Sequence, residues 1–224
     1  MIINYETNIE KVLNKLSNKT NSRSFDLISK EMSKNIFLSK NQIIFEKLNP
    51  KKIFHIQDIK KVCIDYRLRF LDSSYYKGKI PNIALDKINS LQKKHRTSLS
   101  NFKIMGPSSI FQLEKKDDPL LFVQLSKNYY YLIHKWGNDI SGLRRVFVWP
   151  FKNLNTLLFT LFFISLLITK LIPEGLFSQS MDFKSFWIIH LFILKGLISI
   201  AIFCAFAYGK NFNVNIWNNK FDKF

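Results

Sequence analysis

The chain has 224 residues, 47% of them hydrophobic, and a formal net charge of +18 at pH 7. The first 150 residues hold 27 Lys and Arg against 13 Asp and Glu, whereas the last 74 hold only 7 against 3. This distribution excludes a chain of uniform polarity and predicts a basic polar domain followed by an apolar one. The only two cysteines, Cys63 and Cys204, fall in different parts of the chain, which excludes a disulfide framework and suits a reducing compartment.

Residues 1–50 are predicted to form an N-terminal helical region. An amphipathic helix is indicated by four apolar residues that share one helix face: Ile9, Val12, Leu13 and Leu16. A second, weakly patterned helix is expected over residues 26–48, with Pro50 after it. The first residues lack the charged start and apolar run of a signal peptide, so this region is expected to stay in the cytoplasm.

Residues 51–142 are predicted to form a cytoplasmic α+β domain. Within residues 64–70, apolar side chains alternate with Asp65, Arg67 and Arg69, which favours a half-exposed strand. A helical spacing competes with that interpretation, and it uses Ile59, Val62, Cys63, Tyr66 and Phe70. Pro81 stands where a further helix would begin. The basic run 93–96 is expected to close that helix, because cations oppose the negative end of its dipole.

The second half of this domain carries the clearest strand pattern. Four apolar runs predict strands over residues 102–105, 110–113, 119–125 and 129–136. The intervening turns are expected at residues 106–107, 115–118 and 126–128. A small antiparallel sheet backed by helices follows, which defines the α+β class.

Two long apolar runs predict an α-helical transmembrane hairpin. Residues 154–172 would form the first span, about 28 Å long at about 1.5 Å per residue, and residues 186–208 would form the second. Residues 173–185 between them carry no cluster of positive charge and would form the outer turn. The less favoured alternative makes these runs core helices of a soluble protein, although a chain of this size seldom buries two such helices.

Basic residues flank the two runs and predict their orientation. They are Lys135, Arg144, Arg145 and Lys152 before the first, and Lys210, Lys220 and Lys223 after the second. By the positive-inside rule, both termini are expected in the cytoplasm. The juxtamembrane segment 143–153 and the tail 209–224 mix basic with aromatic residues. Those expected to contact anionic lipid headgroups are Arg144, Arg145, Trp149, Lys152 and Trp217.

The second run holds the polar residues of greatest interest in the membrane part. Lys195 lies near its centre without an acidic residue in either run, and an ionisable group at that depth suggests a function. The blander interpretation is a contact with lipid, a backbone carbonyl or another subunit. His190 stands about 140° away round the helix, too far for a tight pair with Lys195. Ala201, Ala205 and Gly209 form a small-residue stripe suited to helix packing, within the chain or in a homo-oligomer.

Few residues of the polar domain suggest chemistry. Asp117 and Asp118 could bind a metal or act as acid and base, but before a proline they more often form a turn. His134 is expected to be a packed or hydrogen-bonded histidine rather than a ligand. Cations interleave with Tyr66, Tyr75 and Tyr76 as in nucleic-acid sites, but the charges are scattered, so nucleic acid is not the expected partner. No catalytic, metal, cofactor or phosphate-loop motif is present, and no cofactor is expected.

Several stretches resemble two-pass membrane proteins of flavobacteria whose function is unknown. The resemblance rests on residues 66–70, 117–122 and 129–139, and on the tail stretches 209–212 and 216–218. It implies a place in the inner membrane and carries no functional residue.

The sequence therefore favours a non-enzymatic, membrane-anchored binding or scaffolding module whose basic domain meets the membrane surface or a cytoplasmic partner. Two alternatives remain open. One is a subunit of a small transporter or channel that uses Lys195, and the other is a membrane-tethered enzyme.

Overall fold

The computed structural model describes residues 6–20, 41, 43–112, 119–173, 175–177, 182–207 and 217–219. The chain divides into two units. The first runs to Arg145 and also includes Trp217–Asn219, and the second begins at Val146 and contains two long apolar helices.

The first unit alternates strands and helices. Its elements are β1 (Glu6–Thr7), α1 (Ile9–Thr20), β2 (Ile53–His55), α2 (Ile56–Tyr66), β3 (Leu68–Asp72), α3 (Asn82–His95), β4 (Phe102–Pro107), α4 (Ser109–Gln112), β5 (Leu120–Gln124), β6 (Tyr129–Lys135) and β7 (Ile140–Ser141). Short 3₁₀ turns cover Phe45–Lys47, Pro50–Lys52 and Ser73–Tyr75.

Five strands form one antiparallel sheet in the order β2-β6-β5-β4-β3. The hairpin from β5 to β6 turns through residues 126–128, where the backbone N–H of Leu125 donates to the Tyr129 carbonyl at 2.9 Å. Strands β1 and β7 make a separate two-stranded ribbon in which Thr7 pairs with Ile140. The α+β class predicted from the sequence is thereby confirmed.

Both faces of the sheet are covered by helices. Leu120 and Phe122 of β5 belong to a core cluster that includes α1 and α2 residues, whereas Leu121 and Val123 belong to a second cluster that includes Ala84 of α3. Because successive strand residues point to opposite faces, a strand covered on both sides is apolar throughout. This is why β5 reads as a continuous apolar run.

Helix α1 belongs to the core of this domain. Ile9 and Leu13 are fully buried beside Phe54 and Phe70, so the boundary expected at residue 50 does not separate two units. The helix itself is confirmed. Most of the second expected helix, 26–48, lies outside the described residues, and its last part holds only the 3₁₀ turn Phe45–Lys47.

The predicted strand over residues 64–70 is wrong for its first half. Helix α2 continues to Tyr66, and Arg67 then adopts a left-handed backbone with φ 51°, donating its N–H to the carbonyls of Cys63 and Ile64. Strand β3 begins only at Leu68. The competing helical spacing was correct as far as Tyr66, because those side chains face the core.

Two further local predictions are wrong. Residues 110–113 were expected to be a strand, but Ser109–Gln112 is a single helical turn, and so short an apolar run does not distinguish the two. Gly106 and Pro107 were expected to turn, but they extend β4 and pair with Arg69 and Leu68. Proline is tolerated there because it ends the strand.

The remaining helices follow the first domain along the chain. They are α5 (Arg144–Val148), α6 (Leu154–Leu171) and α7 (Phe183–Ala207), with a 3₁₀ turn at Trp149–Phe151. Asn153 caps α6: its side chain accepts the Thr156 N–H at 2.8 Å, and the Thr156 hydroxyl oxygen accepts the Asn153 N–H. Helices α6 and α7 pack together, and both are long and apolar enough to span a membrane. Helix α7 begins three residues before the predicted span.

Candidate functional site

The surface of the α6–α7 pair reverses the polarity of a soluble protein. The buried residues are Leu157, Ser165 and Thr169 in α6 and His190 in α7. Large apolar side chains are exposed instead, with Leu171 at 83% and Phe192 at 79% of their full accessibility. An apolar surrounding medium would favour this arrangement, and water would penalise it.

The buried polar residues form one contact between the two helices. The Ser165 hydroxyl donates to the Phe162 carbonyl at 2.7 Å, and its oxygen lies 3.2 Å from Nδ1 of His190. The Ser165 hydroxyl and Nδ1 of His190 are thus within hydrogen-bond distance of each other, and the tautomer of the imidazole sets which of the two donates. Nε2 is buried without a hydrogen-bond partner among the described residues. The rings of Phe162 and Trp187 stand edge-on to the imidazole at 5.1 and 5.3 Å.

Lys195 does not share this buried position. It is exposed on α7, and its carbonyl accepts a bond from the Ser199 hydroxyl at 3.0 Å. Ala201 and Ala205 are half-buried, and Gly209 lies outside the described residues. Functions for Lys195 and for the small-residue stripe therefore stay predictions.

The juxtamembrane segment is apolar on its exposed side. Val146 and Phe147 are 68% and 71% exposed, and the Trp149 ring packs edge-on against Phe159 at 6.2 Å. Lys152 is half-buried and its N–H donates to the Trp149 carbonyl at 3.3 Å. An exposed aromatic and apolar segment beside basic residues is typical of the membrane interface.

Arg144 and Arg145 both engage the end of α2. Arg144 Nε donates to the Tyr66 carbonyl at 2.9 Å, and Arg145 Nη2 lies 3.7 Å from the Asp65 carboxylate. The first bond satisfies a carbonyl at the helix terminus, where a cation is also favoured by the helix dipole. We call Arg67, Arg69, Arg144 and Arg145 the arginine corner.

Residues 217–219, the described part of the tail, lie beside the same end of α2 and β3. The Trp217 ring stacks on Phe70 with 6.4 Å between centroids and 17° between planes, and the Lys60 ammonium lies 5.9 Å from the Trp217 ring. Arg69 Nη1 donates to the Asn219 carbonyl at 2.6 Å. Trp217, which the sequence was expected to place at lipid headgroups, is half-buried against the α+β core, and the headgroup contact stays a prediction.

Sequence reasoning missed Lys60, Phe70 and Arg69 as partners of the tail. Arg69 and Asn219 are 150 positions apart, and no local pattern links positions so distant. The only signal was the alternation of Arg67 and Arg69 with apolar residues, which was read as strand patterning.

Charge is crowded in the arginine corner. Burial lowers the pKa of Arg67, and the nearby Arg144 lowers it further. Burial also lowers the pKa of Arg69, and Arg67 adds to this effect. Like charges brought together at a half-buried site repel one another and reduce the stability of the fold.

A second cluster surrounds His134. The Lys87 ammonium donates to Nδ1 at 3.0 Å, and the imidazole stacks on Trp136 at 6.1 Å. Trp136 in turn donates through Nε1 to the Tyr76 hydroxyl at 3.3 Å. Burial and the charges of Lys87 and Lys52 lower the pKa of His134, so the imidazole is held neutral.

The remaining acid-base candidates, Asp117 and Asp118, lie outside the described residues. Within the described ranges, no three His, Cys, Asp or Glu side chains lie close enough together to hold a metal ion.

Comparison of the chain with family models, curated proteins and solved structures found no match.

Proposed function

We infer that the chain is a membrane-anchored binding module of the inner membrane, with the α6–α7 hairpin as its anchor and both termini in the cytoplasm. The main support for the membrane anchor is the reversed polarity of the hairpin. The side chains of Ser165, Thr169 and His190 are buried, while large apolar side chains such as Leu171 and Phe192 are exposed. A lipid environment makes that arrangement favourable, because helices there pack through small and polar residues.

The charges around the hairpin support the orientation. Basic residues flank the helices on the side of both termini, whereas the connection between the two predicted spans, residues 173–185, carries Glu174, Asp182 and Lys184 and no cluster of positive charge. The positive-inside rule then assigns the α+β domain to the cytoplasm. Binding rather than catalysis is proposed because the described polar clusters of the α+β domain are built mainly from cations and aromatic rings.

Reporter fusions test this proposal. Alkaline phosphatase, which is active only outside the cytoplasm, is inserted at residue 178 or fused to either terminus, with expression levels matched. We expect activity only for the insertion at 178. Activity at a terminus would overturn the orientation, and extraction of the intact chain from membranes by alkaline carbonate would overturn the anchor itself.

A further inference from the structure

We propose that the face of α7 centred on Lys195 binds a transmembrane helix of a different protein, and that this helix carries an Asp or Glu near the middle of its span. The inference rests on the proposed function, since it requires α7 to lie in a lipid bilayer. It gives the binding module a partner of defined chemistry inside the membrane.

Lys195 is the middle residue of α7. The helix runs from Phe183 to Ala207, so either end is twelve positions away. At about 1.5 Å per residue this is about 18 Å along the helix axis, more than the half-thickness of a hydrocarbon core of about 30 Å. A lysine side chain reaches the interface from near a helix end, as Lys170 can from the last turn of α6. Lys195 has no such route to water.

The hairpin leaves the Lys195 ammonium unsatisfied. Lys195 is exposed, and its Nζ has no hydrogen bond or ion pair with a residue that the structure describes. His190, which contacts α6 through Ser165, stands about 140° away round α7. Neither α6 nor α7 contains an Asp or Glu. A cation at this depth is costly, and such residues in membrane proteins face a polar partner rather than lipid.

The surface beside Lys195 is open enough for a second helix. Gly196 and Ser199 are exposed there, one and four positions further along α7. A Cβ added to Gly196 would meet no atom of α6 within 4 Å, so the packing of the hairpin does not require glycine at this position. Glycine in a helix interior costs stability relative to alanine. Small residues on a membrane helix do, however, let another helix approach closely.

Charge argues against a second copy of the chain as the occupant of this face. Two copies inserted in the same direction hold Lys195 at the same depth, so a symmetric pair through this face would bring two ammonium groups together. No other pairing of α6 and α7 between copies supplies a carboxylate, because neither helix contains one. A carboxylate on a helix of another protein would satisfy both charges, since an ion pair is strong where water is absent.

The test uses the full chain reconstituted in phosphatidylcholine vesicles, with synthetic transmembrane helices as probes. Each probe is a leucine-rich helix of about 20 residues with a single Glu, Gln or Leu at its centre, a position that is equivalent in both binding directions. The labelled probe is kept dilute while the labelled chain is titrated, and energy transfer gives the lipid fraction of chain at half-saturation. We expect this fraction to be about tenfold lower for the Glu probe than for the Leu probe, as for one polar contact between membrane helices. The Gln probe, which is uncharged, should bind more weakly than the Glu probe.

Lys195→Met and Lys170→Met form a matched pair of variants. Each removes a lysine from an exposed position of the hairpin, but only Lys195 lies at the centre of its helix. Lys195→Met should raise the half-saturation value for the Glu probe about tenfold, whereas Lys170→Met should leave it unchanged. Lys195→Arg keeps the charge and should keep the preference for Glu. Gly196→Leu adds bulk where the hairpin has free space, and it should weaken binding of the Glu probe while leaving the pairing of α6 with α7 intact.

Three results would overturn the proposal. Equal binding of the Glu and Leu probes by the wild type, or of the Glu probe by the wild type and Lys195→Met, would overturn the site. Equal binding of the Glu and Gln probes would overturn the assignment of a carboxylate. Energy transfer between copies of the chain that Lys195→Met abolishes would replace the different protein by a second copy. Only vesicles that retain the chain in alkaline carbonate are measured, so failure of the site is distinguished from failure of the anchor.

Discussion

His95 shows how a buried side chain acquires pH dependence from its surroundings. It lies in the last turn of α3, and its Nδ1 accepts the Ile44 N–H at 3.2 Å, so the ring proton is on Nε2. Nε2 is buried without a hydrogen-bond partner among the described residues. Burial lowers the pKa of His95, and the charges of Lys94 and Lys47 lower it further. Protonation would turn Nδ1 into a second donor of the ring, beside Nε2. It would also add a positive charge to a site that already disfavours cations.

The folded protein is therefore expected to lose stability as the pH falls below about 6.5, where an unfolded histidine begins to bind its proton. The folded state binds that proton only at a lower pH, so the unfolded state gains protons first. Thermal unfolding at pH 8.0 and pH 5.5 measures this loss. His95→Gln should reduce the difference in unfolding temperature between the two values.

The pKa of His134 is also lowered. A double variant, His95→Gln with His134→Gln, should therefore reduce the difference in unfolding temperature between pH 8.0 and pH 5.5 further. A His95→Gln protein with the full wild-type dependence on pH would contradict the assignment to this buried ring.

At the scale of the elements, the described residues of α6 and α7 include a polar contact between the helices, from Ser165 to His190, in a largely apolar pair. Ser165 and Ser199 offer a matched comparison, because each hydroxyl donates to a carbonyl of its own helix, at 2.7 and 3.0 Å. Only Ser165 also reaches the other helix, through His190.

Ser165→Ala is expected to destabilise helix pairing by about 0.6–2 kcal/mol, the range for a hydrogen bond between membrane helices. The loss arises because Nδ1 of His190 loses its hydrogen-bond partner on α6. Titration of SDS into mixed micelles measures the unfolding of the pair. Ser199→Ala should leave the transition unchanged, and an equal shift in the two variants would contradict a specific contact at Ser165.

The elements also show which local patterns were sufficient for prediction. The stripe from Ile9 to Leu16 and the apolar runs of β5 and β6 predicted their elements, because the burial that creates each pattern is repeated along the segment. At residues 64–66 the helical and strand periods both fitted, and only the left-handed Arg67 separates helix from strand. At residues 110–112 the run was too short to decide.

At the scale of the whole molecule, a residue that is far away in sequence, Trp217, packs against the core of the α+β domain. Trp217 follows the end of α7 at Ala207 by ten positions, yet it stacks on Phe70 beside Lys60 in the first unit. Trp217–Asn219 are thus part of the unit that the first 145 residues form.

Trp217→Ala is expected to lower the unfolding temperature of the α+β domain by several degrees, because it uncovers Phe70 and removes the cation–π contact with Lys60. Near-ultraviolet circular dichroism of the full chain in detergent monitors the transition. Trp149→Ala, which removes the same ring from the juxtamembrane segment, should change it little. If the two variants unfold at the same temperature, the tail does not stabilise the domain.

The sequence by itself determined the α+β class, the two apolar helices and the excess of basic charge. Each of these follows from local composition or from a periodic pattern of apolar residues. It also placed His190 and Lys195 on different faces of one helix by geometry alone. Only the tertiary structure decided that Ser165 meets His190, that Trp217 packs on Phe70, and that Arg67 and Arg144 crowd together. These contacts join positions that are 25 to 147 residues apart, and no periodic pattern extends over such distances.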